Sequence, residues 1–251
     1  MAAPKTTLSL EALAPILAAL DDAEEAFLAG YSGSAGGRRP VHVLYGGADR
    51  FRAETAAKMG ALALKAFDDR LPDAAALARV TGMSPVLAAA VRPRVAEKLG
   101  REAVEDFRID FEDGYGPRPD AEEDAHAVGA ALETATGLSR GTLPPFLGIR
   151  VKPLDRAQMA RSSRTLDLYL TALLRESRGR LPAGFVVTLP KVAFPEQVLA
   201  LSDLLERIER AHVLRSGTVA IELLLETPTA LVSPDGAVSP RLLVEASRGR
   251  C

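Results

Sequence analysis

The sequence carries two adjacent carboxylates, Glu112 and Asp113, directly after a short apolar segment, residues 107–111. Ile109 and Phe111 alternate with polar residues in that segment, which is the pattern of a β-strand. Glycines follow the acids and predict a turn. Such a pair can be a solvated turn, or it can hold a metal ion or exchange protons at the carboxyl end of a strand. The other strand ends are needed to choose between these interpretations.

Charged side chains also follow three later segments that have strand character. Arg150 and Lys152 end one of them, Lys191 follows the next, and Glu226 ends the last. In parallel α/β folds the active site lies at the carboxyl ends of the strands. Carboxylates there can hold a hard cation, an arginine can bind a substrate carboxylate, and a lysine can stabilise an enolate. Each residue also has an ordinary interpretation, as a structural ion-pair partner or an exposed charge.

An alternation of strands and helices predicts a parallel sheet that positions these residues. The expected strands are 41–47, 107–111, 146–152, 184–191 and 218–228. Helical spacing predicts helices at 53–67, 121–135, 162–177, 195–212 and 239–247. Asp120 and Glu123 have the spacing of a capping box at the start of the second of these helices.

Two regions depart from this alternation. Residues 8–28 predict one helix or two, and residues 30–40 predict a glycine-rich loop or linker. Short helical stretches interrupted by Pro85 and Pro93 predict an insertion before the second strand. We therefore divide the chain into an N-terminal helix and linker, 1–40, and an α/β domain, 41–251.

Composition excludes several classes of function. With 31 basic and 33 acidic residues the formal net charge is −2, so the basic surface of a nucleic-acid-binding protein is missing. No apolar run reaches the about 20 residues that span a membrane, so no membrane partner is expected. Cys251 is the only cysteine, which fits a cytoplasmic protein without internal disulfides. His42, His126 and His212 lack the spacing of zinc ligands.

Four segments at the strand ends together resemble a known family. They are "IDFEDGYG", "GIRVKP", "TLPKV" and "LLLETP", in this order within residues 107–228. They are similar to the Asp-Leu-Glu-Asp, Val-Arg-Val-Asn, Leu-Pro-Lys and Ile-Glu-Thr motifs of the citrate lyase beta-subunit-like proteins in the HpcH/HpaI aldolase superfamily. The resemblance implies a (β/α)8 barrel of the TIM type, an Mg²⁺ or Mn²⁺ ion, and a 2-keto acid or CoA thioester as substrate.

The resemblance also implies roles for the charged residues at the strand ends. Glu226 corresponds to a metal ligand, and Glu112 and Asp113 lie beside the metal in the family pattern. Arg150 corresponds to the catalytic residue that binds the substrate carboxylate. Lys191 corresponds to a second catalytic candidate, a cation that either faces the substrate or supports the residues that contact it.

Two departures from the family pattern bear on function. Lys152 stands where the family has asparagine, so it is a substrate-binding candidate with a different polar contact. The family's second metal carboxylate lies on a later strand, and the chain ends at Cys251 before such a segment. We therefore expect an incomplete barrel of about five parallel strands, truncated relative to its family. Its open sheet edges favour a homo-oligomer.

Two hypotheses of function follow. The first is a Mg²⁺-dependent carbon–carbon lyase or aldolase that acts on a 2-keto acid or acyl-CoA thioester through a metal-stabilised enolate. The second is a non-catalytic remnant or assembly subunit of a citrate-lyase-like barrel. Binding of Mg²⁺ and a keto acid that depends on Glu226 and Arg150 would distinguish the first from the second.

Overall fold

A computed structural model describes residues 8–30 and 37–251. The chain divides into two compact units, Met1–Arg39 and Pro40–Cys251. In the first unit, α1 (Leu10–Gly30) is a helix that exposes large apolar side chains, among them Ile16, Leu20 and Phe27. Residues 31–36 of the predicted linker lie outside the described residues.

The second unit is an α/β domain built on one parallel sheet. Its strands are β1 (Val43–Gly47), β2 (Asp106–Asp110), β3 (Phe146–Arg150), β4 (Val186–Leu189) and β5 (Ala220–Leu223). Its helices are α2 (Thr55–Arg70), α3 (Ala74–Thr81), α4 (Pro85–Glu102), α5 (Asp120–Arg140), α6 (Met159–Glu176), α7 (Pro195–Ala211), α8 (Pro228–Leu231) and α9 (Ser239–Ala246). The predicted α/β class with five parallel strands is confirmed.

The strands lie side by side in the order in which they occur in the sequence, β1-β2-β3-β4-β5. Each crossover therefore advances by one strand in the same direction. Because such parallel connections are almost always right-handed, α5, α6 and α7 cover one face of the sheet. Contacts between α5 and α6 and between α6 and α7 agree with this arrangement.

The two faces of the sheet differ in chemistry because successive side chains of a strand point to opposite sides. Ile109, Ile149 and Val187 are fully buried in the apolar core, together with Leu170 of α6 and Leu201 of α7. The alternate positions on the opposite face include six polar or charged residues, which are Asp106, Arg108, Asp110, Arg150, Thr188 and Glu222, beside smaller or apolar ones such as Gly148 and Val186. The opposite face therefore carries a cluster of charged side chains.

The predicted insertion before β2 follows α2 and consists of α3, an eight-residue helix, and α4, an 18-residue helix, so the predicted interruption before Pro85 is present. Pro85 begins α4, where its missing N–H costs nothing. Pro93 lies inside the same 18-residue helix without ending it, so the prediction of a break there was wrong. Across the described ranges, no helix by itself has the length and apolar character to cross a membrane, and α3 and α4 reach that threshold only as a pair bent by 108°.

The predicted capping box at the start of α5 is also wrong. The helix begins at Asp120 with Pro119 at its N-cap, and no side chain caps it. Glu123 is fully buried, and its carboxylate accepts a hydrogen bond from the Thr165 hydroxyl at 2.6 Å. The carboxylate is drawn inward by partners on other elements, so it does not turn back to the helix terminus.

Near its end the chain is anchored by a buried ion pair. Arg250 donates two hydrogen bonds of 2.8 Å to the carboxylate of Glu209 in α7, and its carbonyl accepts from the N–H of Ile221 at 2.9 Å. Glu209 also accepts from the N–H groups of Gly217 and Val219. Burial alone would raise the pKa of Glu209, but these hydrogen bonds outweigh it and lower the pKa.

Candidate functional site

An ion-pair cluster joins the carboxyl ends of β2 and β3. Arg150 donates to both carboxylate oxygens of Asp110, with distances of 2.7 Å from Nε and 2.5 Å from a terminal nitrogen. Its other terminal nitrogen lies 3.1 Å from Glu112. The guanidinium also stacks over the ring of Tyr45, 4.6 Å from the ring centroid. Arg150 is therefore fixed on all sides, and its charge is shared between two carboxylates.

Lys191 extends this cluster from the loop after β4. Its ammonium donates to Glu112 and, at 3.1 Å, to Asp113. Its backbone is left-handed, with φ of 50°, and its N–H donates to Glu226 at 2.8 Å. A lysine in this conformation is strained, and such strain is concentrated at functional sites. The contact with Glu226 thus helps to hold the strained residue that presents the ammonium to Glu112.

The charged groups at this site shift one another's pKa values. The hydrogen bond to Glu112 raises the pKa of Lys191, although partial burial opposes it. The hydrogen bond from Lys191 lowers the pKa of Asp113. The side chain of Lys191 is still 43% exposed. At neutral pH the site therefore holds a charged ammonium that solvent reaches.

Lys152 lies in a different environment although it is only two residues from Arg150. Its ammonium donates to the Phe111 carbonyl at 2.6 Å and lies 2.9 Å from the buried carboxylate of Glu123. It also lies 5.2 Å from the ring centroid of Tyr115. Burial raises the pKa of Tyr115 to about 12, and the negative charge of Glu123 adds to this rise. Lys152 is thus a nearly buried cation between a carboxylate and an aromatic ring.

A cavity of about 300 Å³ opens between the two lysines. It is lined by Glu112, Asp113, Gly116, Pro117, Lys152, Gln158 and Lys191. Four of the six residues predicted from the sequence line this cavity, and Arg150 and Glu226 contact those residues from outside it. The predicted convergence of charged strand ends is therefore present in the fold.

Sequence reasoning missed the partners that hold this arrangement. Asp110 received no role of its own, yet both of its oxygens bind Arg150. Glu123 was placed at a helix terminus and in fact pairs with Lys152. Tyr45, whose ring stacks on Arg150, is a further partner that no local pattern indicates. The sequence signal that could have identified Asp110 is its two-residue spacing from Glu112 at the end of a buried strand.

A second charged network, also missed, lies on the same face of the sheet. Arg108 of β2 donates to Thr188 of β4 at 3.1 Å and to both oxygens of Glu222 of β5, at 3.0 Å and 2.8 Å. It also pairs with Asp106. Burial alone would raise the pKa of Glu222, but Arg108 outweighs it and lowers the pKa. One guanidinium therefore links three strands beneath the strand ends.

A glycine makes this link possible. Gly148 of β3 lies opposite Arg108 in the register of β2 and β3. A Cβ atom at Gly148 would lie 2.5 Å from the Val186 carbonyl oxygen and 3.2 Å from Cδ of Arg108. The arginine thus crosses β3 at the position where that strand has no side chain.

The carboxylates at the site do not form a ready divalent-cation site. Within residues 8–30 and 37–251, no three His, Cys, Asp or Glu side chains are grouped so that they could hold a metal ion. Glu112 is occupied by Arg150 and Lys191, and Glu226 accepts the N–H of Lys191. An ion beside Glu112 would face the Lys191 ammonium at close range, which is unfavourable for two like charges. The side chains as placed therefore do not fit Mg²⁺, and its binding stays a prediction.

Comparison with known proteins gives a family for the chain. Residues 20–251 match the family model described as "Domain of unknown function (DUF6986)". The chain belongs to this family. No curated protein matches the chain. Because the family description names no activity, the function has to be argued from the geometry of the site.

Proposed function

We propose that this chain is an enzyme that makes or breaks a carbon–carbon bond in a 2-keto acid or an acyl-CoA thioester through an enolate. The observation that carries the proposal is the cavity between Lys152 and Lys191, with Arg150 behind Glu112. Two ammonium groups line this cavity beside the carboxylates of Glu112 and Asp113, and an ammonium there can bind an anionic substrate and stabilise the negative charge that develops on an enolate. The resemblance to the aldolase superfamily supports enolate chemistry, although it assigns the substrate carboxylate to Arg150 and has asparagine at the position of Lys152.

The architecture supports a (β/α)8 barrel as the parent fold of this proposal. The described strands follow one another without a reversal of order, as in a barrel and unlike a doubly wound sheet. Arg108, Asp110 and Arg150 lie on the face that a barrel would turn inward. The functional ends of such a barrel are the carboxyl ends of its strands, where Lys191 and Glu112 lie.

The charged residues at the cavity have different roles in the proposed reaction. Lys191 is the exposed cation, so it binds the substrate carboxylate and stabilises the enolate oxygen. Arg150 fixes Glu112, and Glu112 in turn fixes the ammonium of Lys191. Mg²⁺ is kept as a prediction from the resemblance, and no step is assigned to it, since the carboxylates already have partners.

Exchange of substrate hydrogen tests the proposal. The purified chain is incubated with pyruvate, or with acetyl-CoA, in D2O, and loss of the methyl proton signal is followed by NMR. We expect exchange that falls about 10²- to 10³-fold in Lys191→Met, the cost typical of losing one group that stabilises an oxyanion. Lys65→Met is the matched control, because Lys65 is an exposed residue of α2 whose ion-pair partner within the described ranges is Asp69 at the surface.

The outcome that contradicts the proposal is equally direct. If the folded chain exchanges neither substrate faster than buffer does, with or without added Mg²⁺, the chain is not an enolate-forming enzyme of this type. If Lys65→Met slows exchange as much as Lys191→Met does, the cavity is not the site.

A non-catalytic assembly role is the second candidate, and one observation favours it. Arg150 and Lys191 are each paired with carboxylates of the same chain. Under this second candidate, these ion pairs fix the loops after β2 and β4 and have no catalytic role. The homo-oligomer predicted from the sequence belongs to this candidate as well as to the first. Absence of exchange, together with a native mass of more than one chain, would favour it.

A further inference from the structure

A cavity larger than that of the candidate site lies between α6 and α7. Its volume is about 760 Å³, within the range of about 300–1,000 Å³ that small-molecule sites occupy. Apolar side chains form most of its lining, among them Leu154, Met159, Phe194 and Leu204. Met159 and Phe194 are each about half exposed although both are large and apolar. Apolar side chains left open to solvent around a concave surface are typical of a site that binds an apolar group.

The mouth of this cavity is held in place by a buried residue, Gln197 of α7. Its side-chain nitrogen donates to the Leu154 carbonyl at 3.2 Å, and its side-chain oxygen accepts from the N–H of Ala193 at 2.8 Å. These hydrogen bonds join the loop after β3 to the loop after β4, which carries Phe194. The cavity is therefore preformed, and a ligand does not have to order it.

Two exposed arginines, Arg156 and Arg207, also line the cavity. Across residues 8–30 and 37–251, neither guanidinium has an ion-pair or hydrogen-bond partner. An arginine without a partner can bind a carboxylate or a phosphate group through two parallel hydrogen bonds. The cavity thus combines an apolar surface with two cations that are available to a ligand.

The acidic residues at the cavity interact with other parts of the chain. Asp203 pairs with Arg248 at 2.6 Å, and Asp155 accepts a hydrogen bond of 2.9 Å from the N–H of Gln158. Glu196 lies in the first turn of α7, where the helix dipole favours a negative charge. These contacts leave Arg156 and Arg207 as the charged groups that a ligand would meet.

We propose that the cavity between α6 and α7 binds an amphiphilic anion, a linear carbon chain that carries a carboxylate or phosphate group. The chain lies on Leu154, Met159, Phe194 and Leu204, and the anionic group pairs with the arginines. A free fatty acid and the acyl chain of a CoA thioester share this chemistry. The site is additional to the proposed function and does not depend on enolate formation.

The position of the cavity connects it to the candidate site. Asp155 lines the larger cavity, and Gln158 lines the smaller one. The side-chain nitrogen of Gln158 donates to the Asp155 carboxylate at 3.3 Å. The two cavities are therefore bordered by the same hydrogen-bonded turn at the start of α6.

Isothermal titration calorimetry of the full chain tests the proposal with decanoate as the probe. We expect one decanoate to bind per chain, and octanoate, which is two methylenes shorter, to bind about tenfold more weakly. Decylammonium has the same chain and the opposite charge, so we expect no binding of it. Parallel titrations with decanoyl-CoA and with CoA alone distinguish the two sources of the chain.

Variants of the lining test the position of the site. Ala200→Glu places a carboxylate in the apolar lining of the cavity and should abolish binding of decanoate. Ala125→Glu is the matched control, since Ala125 is an exposed alanine of α5 outside the cavity. Far-UV circular dichroism confirms that each variant is folded.

Variants of the arginines test the charge. Replacement of Arg156 and Arg207 together by alanine should weaken decanoate about fivefold or more, as expected for the loss of solvent-exposed ion pairs. The dependence on chain length should remain in this double variant. Arg210→Ala is the matched control, because Arg210 lies on the same helix but pairs with Glu206 outside the cavity.

The outcomes are distinct. Binding of decanoate supports the site with a free fatty acid as the source, and binding of decanoyl-CoA without binding of decanoate or CoA supports it with a thioester. The proposal is overturned if none of these chains binds, if octanoate binds as tightly as decanoate, or if decylammonium binds equally well. It is also overturned if Ala200→Glu has no more effect than Ala125→Glu.

Discussion

The replacement Asp110→Asn tests how much the ion pair at the end of β2 contributes to stability. Asp110 is fully buried, and each of its two oxygens accepts one hydrogen bond from Arg150 and one from a backbone N–H, that of Glu112 or of Gly114. Asparagine has the same shape, but its amide nitrogen is a donor. Because both oxygen positions face two donors, neither orientation of the amide avoids a donor–donor contact.

The expected cost follows from these contacts. Breaking a buried ion pair by removing one partner costs about 3–5 kcal/mol. Arg150 retains Glu112 at 3.1 Å, so its charge is not left entirely alone. We therefore expect Asp110→Asn to lower the free energy of unfolding by about 3 kcal/mol, the lower end of that range.

Urea unfolding followed by far-UV circular dichroism measures this change, since the chain has no tryptophan to report by fluorescence. The matched control is Asp69→Asn, which removes the exposed partner of Lys65 in α2 and should cost about 0.5 kcal/mol or less. The dependence on urea concentration should be unchanged, so that the midpoint alone carries the effect. A loss below about 1 kcal/mol for Asp110→Asn would refute the reasoning, because a buried guanidinium would then have lost its main partner at little cost.

Two further predictions concern the rest of the sheet. Gly148→Ala places a Cβ 2.5 Å from the Val186 carbonyl oxygen, so we expect the free energy of unfolding measured in urea to fall by about 1–3 kcal/mol. The control is Gly129→Ala in an exposed turn of α5, where a Cβ has no neighbour within 4 Å and should raise the free energy of unfolding by up to about 1 kcal/mol. Equal effects of the two replacements would contradict the prediction. Because the pKa of Glu209 is lowered in the folded state, its pairing with Arg250 stabilises at neutral pH and is lost as pH falls below its unfolded value of about 4.5. Glu209→Gln should therefore be less stable than the unmodified chain at pH 7, and its stability should fall less on acidification. Urea midpoints of both proteins measured between pH 7 and pH 4 test this, and parallel pH dependences would contradict it.

Sequence patterns predicted the number and order of the strands, but the predicted last strand, 218–228, is only Ala220–Leu223 in the structure, so Glu226 follows the end of β5 and does not end the strand itself. The alternation of apolar and polar residues at β2 and the apolar run at β5 indicated where strands occur. Such local patterns predict strands because they reflect which side chains a parallel sheet buries. The position of Lys191 directly after Pro190 also marked the end of β4. Local patterns of this kind depend only on neighbours in the chain.

The pairing of charges could not be predicted in the same way. Arg108 meets Thr188 and Glu222, which lie 80 and 114 residues away in the sequence. The spacing of Glu123 from Asp120 predicted a capping box at the start of α5. In the structure the carboxylate of Glu123 pairs with Lys152 instead. Which cation a carboxylate meets depends on the register of several strands, and no local spacing contains that information.

The reach of Arg108 has a consequence for how the protein is made on the ribosome. Its binding partners on β4 and β5 are translated long after β2, so the guanidinium stays hydrated while the earlier strands emerge. Asp106 pairs with this charge within β2, and Glu222 completes the compensation with two further hydrogen bonds, so closure of β5 onto the sheet is tied to the completion of translation through Glu222. We expect a late, cooperative final step in co-translational folding, of the slow kind that distant contacts impose.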